Sequence, residues 1–271
     1  MIPKEHHLFY RFNLFILVLM LLGVLQGCSK NIKIPKRLSE VYKDWTPEQA
    51  DRVWAAILKQ AVDEQGRIDF AGLARKPKRL RTYVSYIGYH APHNRPDLFP
   101  SPDSRLAYYL NSYNALAMYG VVKLEIEDGF ESLLDRADFF KLTRYVVGKK
   151  WISLLDYENK IIRPLGDPRI HFALNCMVAG CPRLPQVPFQ AKHLNRQLEN
   201  ASYEFLNHPR NVRVNKKKEV VYLSEILDFY TDDFLDEEQT LITYINRYRK
   251  TPVPEYYDIE FIPYDWTLNQ Q

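Results

Sequence analysis

The chain has 271 residues, 46% hydrophobic and 14% aromatic, and its 37 basic and 33 acidic side chains leave a formal net charge of +4. With near-neutral charge and only short single-sign runs, such as Lys216-Lys217-Lys218, it lacks the electrostatic footprint of a nucleic-acid binder. Its 19 Tyr and 14 Phe can build a substantial core, so the expected class is a globular, aromatic-rich domain without repeats or low-complexity blocks.

At the N-terminus, Lys4 and Arg11 precede or enter an almost wholly apolar run from Leu14 to Leu25. Spanning a bilayer takes about 20 such residues, so this run instead fits the apolar region of a secretory signal. It ends at Leu25-Gln26-Gly27-Cys28, which resembles a bacterial lipobox: aliphatic, variable, small, cysteine. Residues 1–27 are therefore expected to be a lipoprotein signal peptide, and Cys28 to receive acyl chains, palmitate among them, that hold the chain on a membrane. Ser29 stands where an aspartate would favour inner-membrane retention, which points to an outer-membrane lipoprotein facing the periplasm. Leaving out residues 1–27, with Lys4, Arg11 and Glu5, lowers the net charge to +3. Residues 28–44 read as the lipidated cysteine and its tether, and 45–271 as the globular domain. That compartment is oxidising, so paired cysteines tend toward disulfides.

Within the domain, Thr46-Pro47-Glu48-Gln49 predicts a helix start, with Thr46 as N-cap, Pro47 at the first position and Gln49 closing a capping box. A short extended piece at 67–70 and a helix over about 77–87 follow, then a proline-rich loop over 90–102. The run SRLAYYLNSYNALAMYGVV is apolar around most of its circumference and reads as a buried helix. Residues 139–147 are expected to form a strand before the turn at Gly148, 153–162 a helix, and 169–175 an apolar strand. Helices around 190–207 and 224–249 flank a hairpin at 212–214 and 220–223, and the chain ends in an extended, proline-rich tail. This pattern gives a helix-dominated α+β single domain with a small, mostly antiparallel sheet.

Several residues could carry chemistry. Asn111 and Asn114 lie three apart on the buried helix, and a buried amide without partners costs about 1–3 kcal/mol, so both must be hydrogen-bonded, as braces or as the lining of a site. On a strand over 169–175, His171 and Asn175 share one face with Arg169, while Cys176 faces the other way, about 16 Å along from His171. His171 is then either a satisfied core histidine or a general base. Cys181, past Gly180 in a loop, is the easier thiol partner for it. The four residues between Cys176 and Cys181 equally allow a disulfide; inert thiols are the third possibility. A zinc site with His171 or His193 matches no finger or ribbon spacing, and neither metal nor cofactor is expected. Glu158 and Arg163 are further candidates, five apart at a helix end, whereas Asp232 and Asp233 read most simply as solvated or helix-end residues.

The segments LNSYNAL, DYENKIIRPLGDPRIHFALNCMVAGCPRLP, LSEILDFYTDDF and PYDWTLN, in that order, resemble the DUF547 family, a domain of unknown function; VDEQGRIDFAGL is similar to its N-terminal portion. The resemblance covers roughly 45–269 and implies no settled activity. It places family features on Asn111, Asn114, Glu158, Arg163, Arg169, His171, Asn175, Asp233 and Tyr264-Asp265-Trp266. Bacterial relatives resemble this chain in carrying the two cysteines, whereas plant members can have hydroxyl or acidic residues there while keeping the histidine. That implies a compartment-specific disulfide more than a shared nucleophile, and leaves His171 as the functional residue. Two functions are expected from this. The first is an envelope binding module with a polar pocket around His171 for an unknown ligand or protein. The second is an envelope hydrolase or transferase, with His171 as base and Cys181 as nucleophile in its thiol version.

Overall fold

A computed structural model describes residues 30–32, 42, 44–235 and 240–271. The expected signal peptide, Cys28 and most of the tether lie outside the described residues. The architecture is that of the compact unit Asn31–Gln271.

Helix α1 (Pro47–Ala61) begins as the sequence dictates: the Thr46 hydroxyl accepts from the Gln49 amide while Gln49 Oε1 accepts from the Thr46 amide at 2.8 Å. It buries Ala50, Trp54, Ile57, Leu58 and Ala61 on one face. Asp69 then caps the short α2 (Phe70–Arg75) through the Gly72 amide at 2.6 Å, and α3 (Lys78–Tyr89) follows. Helix α4 (Pro102–Leu124) is the axis of the domain, buried without a break from Leu106 to Val121. Gly120 lets it approach the elements beyond, since a Cβ there would fall 2.1 Å from the Tyr145 hydroxyl.

After α4, a one-turn helix α5 (Leu133–Arg136) runs into a π-helical turn, Ala137–Leu142. The hairpin of β1 (Arg144–Val147) and β2 (Lys150–Ser153) comes next, antiparallel, with Val146 opposite Trp151. Helix α6 (Leu154–Tyr157) leads through a second π-turn, Glu158–Ile162, into a tight turn at Arg163–Leu165. Helix α7 (Leu194–Asn207) packs on the 168–172 segment. The second sheet pairs β3 (Val212–Asn215) antiparallel with β4 (Val220–Ser224), and β4 parallel with β5 (Asp258–Ile262). Between β4 and β5 lie three short helices, α8 (Ile226–Phe229), α9 (Thr231–Phe234) and α10 (Leu241–Asn246). With ten helices and two small sheets among the described residues, the domain is α+β and helix-dominated.

Three local expectations are corrected. Residues 169–175 form no strand: Pro168–Phe172 is a 3₁₀ turn, followed by irregular chain. Pro168 sets the first position, the Asp167 carboxylate accepts from the Arg169 amide at 3.0 Å, and Asn114 takes up backbone groups that a ladder would otherwise pair. His171 and Cys176 are therefore not set on opposite faces of a strand. Residues 139–142 are helical rather than the start of a strand, and 224–249 is broken into three helices.

Two hydrophobic clusters share the domain. The larger gathers α1, α3, α4 and the β1–β2 hairpin; the smaller joins α7, the three-stranded sheet and α8–α10. Ile170 belongs to the first cluster and Phe172 to the second, so the turn between them, carrying His171, sits at the seam. The C-terminal tail then crosses the larger unit, pairing Thr267 with Gly129, Leu268 with Val178 and Gln270 with Ile68.

Candidate functional site

The 3₁₀ turn at the seam aims His171 toward α9. Nε2 lies 2.7 Å from Asp233 Oδ2, and the histidine side chain is only 1% exposed. Arg163, at the exit of the second π-turn, holds the same carboxylate with two nitrogens, Nε on Oδ2 at 2.7 Å and Nη2 on Oδ1 at 2.8 Å, while Nη1 donates to Asn159. Burial disfavours the Asp233 charge, but the hydrogen bonds from His171 and Arg163 outweigh it and hold the carboxyl well below the usual carboxylate range. The bond to Asp233 in turn raises the Arg163 guanidinium. An ionised carboxylate can only accept, so Nε2 carries a proton, and in the neutral ring Nδ1 is the lone-pair nitrogen.

Aromatic rings close the back of this group. Tyr230, three residues before Asp233, stacks on the imidazole with centroids 3.8 Å apart, and Phe234 meets it edge-on at 5.4 Å. Glu158, buried at 7% exposure, accepts from the Tyr113 hydroxyl at 3.3 Å. Burial first, and then the Glu158 charge, push the Tyr113 and Tyr230 phenols well above their ordinary value, so both stay protonated.

Cys176 and Cys181 are joined in a disulfide with Cα atoms 6.2 Å apart. Tyr264, from the tail, donates its hydroxyl toward Cys176 Sγ at 3.1 Å and Cys181 Sγ at 3.3 Å. Gly180 is needed in this loop because a Cβ would stand 2.9 Å from the Asp265 carbonyl oxygen. A bonded sulfur is not a thiolate, so in this state Cys181 is no nucleophile.

The candidate residues therefore separate. His171 and Arg163 converge on Asp233, whereas Glu158 is bound by Tyr113. Asn114 clamps the start of the disulfide loop, donating to Ala173 O at 3.0 Å and accepting from the Asn175 amide at 2.7 Å. Asn175 donates to Pro182 O and accepts from the Met177 amide across the same loop. Asn111 is bound in both directions to the backbone of Phe189. Arg169 points away into ion pairs with Asp167 and Glu199, tying the turn to α7. Each of these side-chain bonds of Asn111, Asn114 and Asn175 runs to a backbone group.

A family model, that of DUF547, a protein family of unknown function, matches residues 99–206. Over that stretch the chain is similar to DUF547. The stretch contains Asn111, Asn114, Glu158, Arg163, Arg169, His171, Asn175 and both loop cysteines, but stops short of Tyr230, Asp233 and Tyr264. No curated protein and no solved structure matches the chain.

Sequence reasoning missed Tyr230 and Tyr113, and read Asp233 from its own surroundings as a solvated or helix-end residue; it does stand at the end of α9. Neither tyrosine had a signal in a chain this rich in tyrosine. Asp233 had one only through the resemblance, since its partners lie 62 and 70 residues earlier.

Proposed function

We propose that the chain is a cell-envelope lipoprotein, anchored at the outer membrane through acyl chains on Cys28 and facing the periplasm. Its domain over 45–271 is DUF547-like throughout and holds an envelope ligand or partner at the surface around His171. The observation that carries the reading is the graded exposure of the linked trio: Arg163 and Asp233 side chains are 29% and 24% exposed, while His171 behind them is 1% exposed. A bidentate guanidinium–carboxylate pair at the surface, fixed from behind by a histidine and a stacked tyrosine, offers oriented donors and acceptors to a polar ligand. The bonded state of Cys181 supports binding over thiol catalysis.

A second reading is favoured by one feature. The carboxylate on Nε2 fixes the tautomer and leaves Nδ1 as the basic nitrogen, the arrangement an envelope hydrolase or transferase with His171 as base requires. Purified cell-wall sacculi separate the readings. The wild-type, His171→Gln and Arg163→Ala proteins are assayed for retention on sacculi and for release of soluble fragments. Retention that largely survives His171→Gln, falls in Arg163→Ala and releases no fragments is the expected result. Fragment release by the wild type that His171→Gln abolishes establishes the hydrolase instead. No retention and no release eliminate the cell wall as the ligand.

A further inference from the structure

The described chain begins on the edge of the β1–β2 hairpin. Asn31 bridges Arg144 in parallel, and the Ile32 amide donates to Arg144 O at 3.0 Å. Cys28 precedes Asn31 by three residues, and an extended chain covers at most about 3.3–3.6 Å per residue. Acyl chains on Cys28 would therefore hold the hairpin edge within roughly 11 Å of the bilayer surface, too close for the domain to hang free on a long tether.

The surface at that point has matching chemistry. Trp151 is 43% exposed and points outward with Val146, its partner across the hairpin. The first π-turn packs on both β2 and α6 and leaves Leu142 38% exposed, while α6 leaves Leu155 39% exposed. Lys141 and Arg144 are exposed beside them, and Lys150 is exposed at the turn end of the hairpin, opposite Val147; none of the three is in an ion pair among the described residues. Of the neighbouring acids, Asp156 is taken by Lys160 at 3.0 Å and Asp138 is half-buried. Single exposed apolar residues are ordinary on any protein. Three on mutually packed elements, with Lys141 and Arg144 beside them and Lys150 at the hairpin's edge, at the place where an anchored chain enters, form an interfacial surface: tryptophan and leucine at the acyl boundary, lysine and arginine on anionic headgroups.

We infer that the β1–β2 hairpin, with the flanking π-turn and α6, is a membrane-facing surface that lies on phospholipid and sets the orientation of the domain on its anchor. The inference rests on the lipoprotein reading of Cys28. It does not depend on what His171 binds.

The test uses the full-length protein extracted from membranes and reconstituted into phosphatidylethanolamine–phosphatidylglycerol vesicles with brominated acyl chains. Tryptophan fluorescence is compared for the wild type, Trp151→Phe, and the triple variant Lys141→Glu, Arg144→Glu, Lys150→Glu. Bromolipid should quench the wild type; Trp151→Phe should remove most of that quenching. The triple variant, which keeps Trp151, should weaken it, as should high salt. Quenching that survives both variants, or no quenching in the wild type, overturns the inference. The mass of the N-terminal peptide from the same preparation separates the two levels. An unmodified Cys28 overturns the lipoprotein reading and this one together, while an acylated Cys28 with no Trp151-dependent quenching overturns only this one.

Discussion

Asp233 is the residue on which the site depends, because it is the acceptor for two donors at once. Its carboxyl is held below the ordinary carboxylate range in the folded chain, so it contributes stability that is fully present above about pH 4 and is lost as pH falls from there toward the folded value. Asp233→Asn is expected to lower stability by about 1–3 kcal/mol near neutrality, since His171 and the Arg163 guanidinium lose an anionic acceptor and one carboxylate oxygen becomes an amide donor. The variant should also lose less stability than the wild type on acidification to about pH 3, because the titrating group is gone. Urea unfolding at the two pH values measures both effects. A drop on acidification as steep as the wild type's would assign the acid dependence to another carboxylate. Asn114→Leu is expected to cost about 2 kcal/mol or more by orphaning Ala173 O and the Asn175 amide. Hydrogen exchange at the Asn175 amide should rise well before exchange in the core of α4 does.

At the scale of elements, the disulfide loop shows what holds an irregular segment in place. Residues 173–182 are fixed by Asn114, by Asn175, by the Cys176–Cys181 bond and by the tail, rather than by a ladder of their own. A ring this small contributes about 2 kcal/mol in the loop-entropy account. The double substitution Cys176→Ser, Cys181→Ser should therefore lower the melting temperature by several degrees, about 2 °C or more for each kcal/mol, without unfolding the domain, whereas a collapse of the fold would show that the bond does more than pin a loop. Elements with local punctuation were readable in advance: the Thr46 cap with Pro47 started α1, and all-round apolarity marked α4 as buried. The 169–175 segment was not, because its apolar alternation is the same for a strand and for a turn with both ends buried. What decided it was Pro168 together with an asparagine 59 residues earlier. The long helix expected over 224–249 failed for a related reason: Thr231 turns its hydroxyl back onto Leu227 O and Asp228 O, closing one short helix against the next.

At the scale of the molecule, His171 stands where two hydrophobic clusters meet, and the tail closes the larger one from outside. Leu268 is buried, the Asn269 amide donates to Met177 O at 2.9 Å, and the Gln271 amide donates to Ile68 O at 3.2 Å. Removing residues 267–271 should cost on the order of 4 kcal/mol, one buried leucine and several backbone bonds, and should loosen the 61–68 and 177–180 segments together. Limited proteolysis that cuts both segments in the truncated chain and neither in the intact one would show this coupling. The same tail governs the order of assembly. Its last residues pair with a segment some 200 positions upstream, about as large a separation in sequence as the domain allows. Long-range closures of this kind are slow and come after local structure. The 61–68 segment must therefore wait, incompletely paired, until residues 269–271 can dock on it. Until that closure forms, the backbone of the 61–68 segment keeps unpaired groups open to other partners, and the two ends of the fold seal in a single late step.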